Sequence, residues 1–161
     1  MSCLNCDAKV GANLRLNNIE ANSKVRAGDD YTISFDVKNI HWLIFIYGRA
    51  CLYEGNTVIA NSGSFKISKG DTLGVTFTGR MPNKPLDLKI SVVAEAAGYI
   101  KICEDSAELY IDLAGPGEST EPPTKIKIEE EFSITEWIEE NPIIIIGVIA
   151  ILGMFVMMMR R

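Results

Sequence analysis

Apolar and polar residues alternate with a period of two along much of the first 113 residues of the chain. Period two is the pattern of a β-strand with one buried face. Clusters of Gly, Pro, Asn and Asp separate these stretches and predict turns. The alternating apolar residues are Tyr31, Ile33, Phe35 and Val37; Leu73, Val75 and Phe77; Leu86, Leu88, Ile90 and Val92; and Ala107, Leu109, Ile111 and Leu113.

Short alternating segments recur about every 8–15 residues, and no helical period lies among them. This spacing predicts an all-β fold, an antiparallel sandwich of about seven or eight strands over residues 11–113. We expect eight of the alternating residues to share its core: Ile33, Phe35, Val75, Phe77, Leu88, Ile90, Leu109 and Ile111.

The segment 41–53 (HWLIFIYGRACLY) is apolar at nearly every position and does not alternate. Such a run predicts a central strand that is covered on both faces. The outer face then meets either another segment of this chain or a partner protein. For the partner alternative, the candidate interface residues are Ile44 and Ile46.

The C-terminal segment 142–159 (PIIIIGVIAILGMFVMMM) contains no charged side chain and is followed by Arg160 and Arg161. Eighteen helical residues span about 27 Å, which is close to the thickness of a bilayer core. A buried core helix is the alternative, but a core helix is rarely apolar on every face. We therefore expect a single transmembrane helix with a basic tail at 160–161, and no cleavable leader at the N-terminus.

Between the sandwich and the anchor, residues 114–131 are rich in Pro, Gly and Glu and predict a linker. Residues 132–141 predict a short amphipathic helix at the membrane interface, with Phe132 and Trp137 as aromatic anchors and Arg160 and Arg161 at the opposite interface. The brief alternation at 125–128 indicates either a small added strand or linker.

The charge distribution argues against nucleic acid as a partner. Residues 1–113 contain 12 Lys or Arg and 13 Asp or Glu, a net charge of −1. Residues 114–141 contain 2 Lys and 8 Glu, a net charge of −6, so the chain offers no basic surface for phosphates.

The four cysteines are Cys3, Cys6, Cys51 and Cys103, and residues 1–10 form an N-terminal CxxC segment. Cys3 and Cys6 are weak candidates for half of a zinc site or for a redox pair, but no second CxxC or histidine pair accompanies them. All four cysteines are disulfide candidates, with buried thiols as the alternative, and spacing does not define the connectivity.

The sequence motifs that would indicate catalysis or cofactor binding are missing. No nucleophile, phosphate-loop or metalloprotease motif occurs, and His41 is the single histidine. Asp29-Asp30 and Glu104-Asp105 are either calcium ligands or, more simply, solvated turn residues. We expect no enzyme activity, no cofactor and no small-molecule substrate.

The segment Val25–Asn39 (VRAGDDYTISFDVKN) resembles the opening of immunoglobulin-like domains of the cell-adhesion-related type, which occur in microbial surface and viral proteins. Lys69-Gly70 before a strand, Met81-Pro82 after it, and Asp105 before the last strand fit the same pattern. The resemblance covers residues 14–113 and implies a sandwich with a binding or scaffolding role and no catalytic residues. The antibody-type Cys–Trp–Cys spacing is not matched.

These features predict a non-enzymatic structural or interaction protein anchored in a membrane. A minor structural protein of a membrane-containing virus, or of a similar surface assembly, is the first hypothesis. A cellular tail-anchored or surface accessory protein is the alternative. The expected partners are the lipid bilayer and other protein subunits. The positive-inside tendency places the sandwich on the outer side, and a cytosolic sandwich is the alternative topology.

Overall fold

The structure, a computed structural model, describes residues 3–6, 13–42, 45–96 and 100–126. Ten β-strands and no helix occur in these residues, which confirms the all-β class for the described part of the chain. The strands are β1 (Leu14–Asn22), β2 (Lys24–Val25), β3 (Asp30–Asn39), β4 (Phe45–Glu54), β5 (Thr57–Asn61), β6 (Phe65–Ser68), β7 (Thr72–Arg80), β8 (Leu86–Ala96), β9 (Ile100–Leu113) and β10 (Pro123–Lys125).

The strands form two sheets that pack as a sandwich. The four-stranded sheet has the order β10-β1-β3-β7, and the six-stranded sheet has the order β2-β9-β8-β4-β5, with β6 also paired to β4. All pairs are antiparallel except β2 with β9, which is parallel. One sheet contains β1, β3 and β7, and the other contains β9, β8 and β4. This arrangement is found in immunoglobulin-like sandwiches.

The core between the sheets contains the apolar residues that alternation predicts. All eight expected core residues are buried, from Ile33 at 0% exposure to Val75 at 8%, which confirms this prediction. The rings of Phe35 and Phe77 pack at the centre with centroids 5.6 Å apart.

Strand β1 keeps its apolar residues on the core face across an irregularity. Leu14 and Leu16 are buried, and so is Ile19, although a regular alternation would turn position 19 to the other face. The register between β1 and β3 shifts between Asn17 and Glu20, and Asn18 adopts a positive φ of 48°. This bulge adds one residue to β1 and restores the inward direction of the following apolar side chains.

Two carboxylates of β9 close the gap between the two sheets beside β1. The Glu104 carboxylate accepts hydrogen bonds from the backbone N–H of Asn13 at 2.8 Å and of Leu14 at 3.3 Å. The Asp105 carboxylate accepts from the N–H of Leu16 at 2.8 Å. Both acids are buried, and burial raises the pKa of Asp105. These acids therefore act as acceptors for an unpaired strand edge.

The chain does not leave the sandwich at Leu113, where the sequence predicts the linker to begin. β10 pairs with residues 20–22 of β1, and the Glu121 N–H donates to the Lys24 carbonyl at 2.9 Å. The Thr120 hydroxyl also donates to the Asp29 carboxylate at 2.5 Å. Because these contacts are made by backbone and small polar groups, a stretch with few apolar residues still adds a strand to the sheet.

The predicted interfacial helix (132–141), anchor (142–159) and basic tail (160–161) lie outside the described residues, as do Phe132, Trp137, Arg160 and Arg161. Within the ranges given above, no helix has the length and apolar character needed to cross a membrane. The anchor therefore remains a prediction.

Candidate functional site

The candidate site is the outer face of the six-stranded sheet, the face directed away from the core. On β4, Ala50 and Leu52 belong to the core, so the alternating residues Arg49, Cys51 and Tyr53 lie on the outer face. The neighbouring strands β8 and β9 contribute the rest of this face through their register with β4.

Residues Cys3–Cys6 form a strap across three strands of this face. Cys3 is bonded to Cys51 on β4 with a Cα–Cα distance of 6.1 Å, and Cys6 is bonded to Cys103 on β9 with a Cα–Cα distance of 5.7 Å. Between them, the Cys6 N–H donates to the Ser91 hydroxyl on β8 at 3.1 Å. The strap is thus attached to β4, β8 and β9 in turn.

The CxxC spacing matches the geometry of this crossing. β4 and β9 are separated by one intervening strand, which places them about 10 Å apart. Three residue steps of extended chain also span about 10 Å. Cys3 and Cys6 can therefore reach cysteines on strands two apart, and they bond to two different strands rather than to each other.

The disulfides occupy every thiol of the chain. Cys3 and Cys6, the weak metal candidates, are consequently not thiolate ligands in this structure. Among the residues that the structure describes, no group of three or more His, Cys, Asp or Glu side chains is placed to hold a metal ion.

On one side of the strap lies an open groove of about 610 Å³. Its floor carries two cross-strand pairs, Lys89 opposite Glu108 and Asp87 opposite Tyr110. Tyr110 is 55% exposed, the most exposed aromatic residue of the three strands. The side-chain amide of Asn5 in the strap donates to that of Asn56 at 3.1 Å and joins the strap to the β4–β5 turn.

Tyr53 lies on β4 between the strap and the groove and is almost fully buried. Its hydroxyl finds no hydrogen-bond partner in the described part of the chain. Burial raises the pKa of this hydroxyl. A buried hydroxyl without a partner costs the fold some stability.

On the other side of the strap, Phe45, Tyr47 and Lys66 form an exposed aromatic cluster. The rings of Phe45 and Tyr47 meet edge to face with centroids 5.6 Å apart, and they are 42% and 46% exposed. The Lys66 ammonium lies 3.9 Å from the centroid of the Phe45 ring and 5.8 Å from that of Tyr47. The Lys66 ammonium is therefore placed for a cation–π interaction with the Phe45 ring.

A buried ion pair lies beside the aromatic cluster on the same face, where Glu95 is the cross-strand neighbour of Tyr47. Arg49 and Glu95, both 9% exposed, approach to 3.4 Å between Nε and Oε1. Asn61 accepts from Arg49 at 3.2 Å, and the Ser64 hydroxyl donates to Glu95 at 2.7 Å. The surrounding hydrogen bonds offset the desolvation of both charges and hold this part of β4, β5 and β8 in one geometry.

The interface candidates from the sequence were Ile44 and Ile46. Ile44 lies outside the described residues, and Ile46 points inward and packs against the core. The exposed side chains are those of Phe45 and Tyr47, the opposite face of the same strand. The outer face beyond them is covered by the strap, which is a segment of this chain.

Gly48 is the sequence signal that could have assigned the two faces of β4. A Cβ at this position would lie 2.6 Å from the Phe65 ring and 2.7 Å from the Leu14 side chain. A glycine inside a strand marks a close approach of neighbouring groups. Even-numbered positions near Gly48 therefore face the core, and odd-numbered positions face outward.

Trp42 is placed differently from the core tryptophan of antibody domains. It precedes β4, is 74% exposed, and contacts His41 with ring centroids 5.3 Å apart. The sequence does not match the Cys–Trp–Cys pattern, and in the described residues the core contains no tryptophan.

No family model matches this chain, and no curated protein matches it. The CARDB domain of a Pyrococcus furiosus protein, solved in complex with di-metal ions, is similar at 14% identity, covering 67% of this chain and 95% of that one, with a TM-score of 0.48. A Paenibacillus cycloisomaltooligosaccharide glucanotransferase is similar at 19% identity over 63% of this chain, with a TM-score of 0.43. Spo0M, a sporulation control protein from Bacillus subtilis, is similar at 14% identity over 65% of this chain, with a TM-score of 0.39.

This chain spans 14% of the glucanotransferase and 51% of Spo0M. Identities and TM-scores this low support no statement about the function of this chain.

Proposed function

We propose that this chain is a non-enzymatic interaction protein, anchored in a membrane by residues 142–159, whose sandwich binds other protein subunits on the oxidising side of that membrane. The observation that carries the proposal is the outer face of the six-stranded sheet. Its middle is covered by a strap with two disulfides, and an aromatic cluster beside the strap remains exposed.

The disulfides support the location of the domain. Disulfides form and persist in oxidising compartments and are rare in the cytosol. A cytosolic tail-anchored sandwich would keep Cys3, Cys6, Cys51 and Cys103 reduced. The outer side of the membrane is therefore the location we propose.

The aromatic cluster supports a binding role. Aromatic side chains contribute much of the binding energy at protein interfaces, and pre-organised side chains lose little entropy on binding. Phe45 and Tyr47 contact each other, Lys66 lies over both rings, and the buried Arg49–Glu95 pair lies beside Tyr47 on the same face. The partners we propose are other subunits of a membrane-associated assembly, such as a virion or a comparable surface structure.

The binding role is tested by site-specific cross-linking of the full chain in its native membrane. A photoreactive phenylalanine analogue in place of Tyr47 should give a discrete cross-linked protein product. The same analogue in place of Tyr110, which is 55% exposed against 46% for Tyr47 and lies on the same sheet beyond the strap, is the matched control and should give none. Equal products from both positions, or no product from Tyr47, would refute the aromatic cluster as the interface.

The location is tested by membrane-impermeant thiol labelling of intact particles or cells. No label should enter before reduction, and four labels should enter after reduction by an impermeant phosphine. If the thiols label from the cytosolic side without reduction, the domain faces the cytosol. Co-purification of the chain with bilayer-containing particles would support the virion assignment, and its restriction to cell membranes would support a cellular accessory protein instead.

A further inference from the structure

One end of the sandwich exposes apolar side chains. Ile40 and Trp42, in the connection between β3 and β4, are exposed, and so is Ile102 near the start of β9. The Ile40 N–H donates to the Asn13 carbonyl at 2.9 Å. The Asn13 N–H in turn donates to the carboxylate of Glu104, two residues after Ile102. The two segments therefore meet at this end, and we call Ile40, Trp42 and Ile102 the apolar tip.

A buried asparagine holds the segment that carries Trp42. The Asn39 side chain accepts from the His41 N–H at 2.9 Å and donates to the Ile67 carbonyl at 3.1 Å. The backbone N–H of Asn39 also donates to the Asp71 carbonyl at 3.0 Å. The connection that exposes Trp42 is thus bonded to β6 and to the turn that follows β6. Exposed apolar side chains on such an ordered base mark an interaction surface.

The turns at the other end of the sandwich expose no large apolar side chain. The structure describes all residues of these turns, which are 26–29, 54–56, 81–85 and 114–121. The two ends of the sandwich therefore differ in the apolar surface that they present to their surroundings.

The two ends also differ in charge. Lys38 and Lys69 are exposed beside the apolar tip, together with Asp71. The turns of the other end contain two cations and four acids: Arg26, Lys84, Asp29, Glu54, Glu118 and Glu121. Tryptophan and lysine are typical of protein surfaces at the membrane interface, whereas acids are repelled by anionic headgroups. The end with the apolar tip is therefore the better suited to a lipid surface.

The last described strand runs towards the apolar tip. β10 pairs antiparallel with residues 20–22 of β1, and the Ile126 N–H then donates to the Ile19 carbonyl at 2.8 Å. The chain thus advances towards Leu14, the first residue of β1, which pairs with Asn39 directly before the tip. About 17 Å of β1 remain between Ile19 and Leu14. The chain therefore leaves the sandwich in the direction of the end that carries the tip.

We propose that the apolar tip enters the interfacial layer of the bilayer that holds the predicted anchor, with Lys38 and Lys69 at the lipid headgroups. This inference rests on the proposed function, because the anchor is what places the sandwich beside a membrane. Residues 127–141 reach at most about 50 Å when extended, which covers the rest of β1 and leaves slack. The tip can therefore meet the membrane without a reversal of the chain.

Tethering makes a small apolar surface sufficient for this contact. The anchor keeps the sandwich near the bilayer, so docking of the tip is an intramolecular step with a high effective concentration. The tryptophan ring also prefers the headgroup level over bulk water. In this orientation the outer face of the six-stranded sheet stands at the side of the docked sandwich, where partner subunits can reach the aromatic cluster.

The test is tryptophan quenching of the purified full chain in lipid nanodiscs. The lipids carry bromine on their acyl chains, because bromine quenches tryptophan at short range, and iodide in the buffer quenches tryptophan that is open to water. The chain has two tryptophans. Trp137→Phe leaves Trp42 as the reporter of the tip, and Trp42→Phe leaves Trp137 as the reporter of the anchor. Brominated lipid should quench Trp42 to an extent comparable with Trp137, and iodide should quench it little.

A tryptophan at the other end of the sandwich is the positional control. Tyr110→Trp in the chain with Trp42→Phe and Trp137→Phe places the reporter eight residues beyond Ile102 on β9, which corresponds to about 26 Å. This tryptophan should be quenched by iodide and not by brominated lipid. Equal quenching of Trp42 and of the control by the lipid would overturn the orientation that we propose.

A charge in the tip should detach it. Ile40→Asp, read out by Trp42 in the Trp137→Phe chain, should reduce quenching by the lipid and increase quenching by iodide, because the carboxylate resists entry into the interface. Val58→Asp on β5 is the matched control, since Val58 is 40% exposed against 38% for Ile40. The control should leave the quenching of Trp42 unchanged.

The two reporters separate failure of this inference from failure of the proposed function. A Trp137 that brominated lipid does not quench would remove the anchor, and the inference with it. A quenched Trp137 beside a Trp42 that stays open to iodide would overturn docking of the tip and leave the anchor in place. A Trp42 shielded from iodide but not quenched by the lipid would also overturn it, because a protein contact would then cover the tip.

Discussion

Removing either disulfide of the strap should cost this domain a large part of its stability. The perturbation is a paired serine substitution, Cys3→Ser with Cys51→Ser or Cys6→Ser with Cys103→Ser. Each pair deletes one cross-link and leaves no unpaired thiol, and the strap keeps its other attachment. Serine and cysteine are similar in size, so the packing around the strap changes little.

The magnitude follows from the length of chain that each disulfide closes. The separations are 48 residues for Cys3–Cys51 and 97 residues for Cys6–Cys103. In the chain-entropy model these loops correspond to about 4 and about 5 kcal/mol of stabilisation. Each doubling of loop length adds about 0.6 kcal/mol, so the Cys6–Cys103 pair should cost slightly more. Domains of this size have about 5–15 kcal/mol in total, so loss of both bridges should unfold the sandwich.

Native-state hydrogen exchange of the full chain is the suitable assay, because the amides of β8 report the sandwich separately from the C-terminal segment. Exchange free energies for β8 should fall by about 4–5 kcal/mol in each paired variant. A decrease of less than about 1 kcal/mol in both variants would refute the reasoning, because the unfolded chain would then gain almost no conformational freedom when the disulfide is removed. A much larger loss for the Cys3–Cys51 pair than for the other would show that local packing outweighs loop entropy.

Three further changes test the core, the buried acids and the domain boundary. Phe35→Ala should lower the free energy of unfolding by about 3–5 kcal/mol, measured by urea titration, because the ring is almost fully buried. The pKa of Asp105 is raised in the folded chain, so as pH rises the unfolded chain releases this proton first. The free energy of unfolding should therefore fall as pH rises from the usual pKa of 3.8 through the raised pKa. Asp105→Asn should abolish this fall. A chain truncated after Leu113 should be about 2–4 kcal/mol less stable than one truncated after Ile126, because it lacks several backbone hydrogen bonds and β10; equal stabilities would contradict the role of residues 114–126.

The alternation of apolar residues predicts most of the sandwich, because each alternating strand has one face in the core. It does not predict where strands β2 and β10 pair. Both are short, and they are held by backbone hydrogen bonds such as those from the Glu121 N–H to the Lys24 carbonyl and from the Ile126 N–H to the Ile19 carbonyl, which leave no trace in hydropathy. The boundary placed at Leu113 therefore left out a strand of the four-stranded sheet.

The outer face of β4 shows why the candidate site was harder to predict than the fold. Both parities of residues 43–47 are apolar, so the pattern does not say which face is inside. Tertiary contacts decide it: Phe65 and Leu14 pack over Gly48 and turn Ile46 inward. A shift of one residue exchanges the two faces of a strand, so the interface candidates moved from Ile44 and Ile46 to Phe45 and Tyr47.

The disulfide connectivity follows from the sequence only when the strand order is also known. CxxC sets a reach of about 10 Å, and that reach selects strands two apart. β8 lies between β4 and β9, so Cys51 and Cys103 are separated by that distance. Cys3 could therefore bond to either of them, with Cys6 bonded to the other. The hydrogen bond from the Cys6 N–H to Ser91 and the contact of Asn5 with Asn56 are consistent with the direction observed.

The disulfides and the terminal arginines are independent features that predict the same topology. Two disulfides favour an oxidising compartment for the sandwich, which is the basis of the location proposed above. Arg160 and Arg161 directly follow the predicted span, and basic residues beside a span favour the cytoplasmic side. The first argument concerns redox chemistry in the sandwich, and the second concerns charge beside the predicted span. A reversed topology would place the two arginines on the outer side and would keep the two disulfides in a reducing compartment. Both features therefore disfavour the same alternative, a cytosolic sandwich.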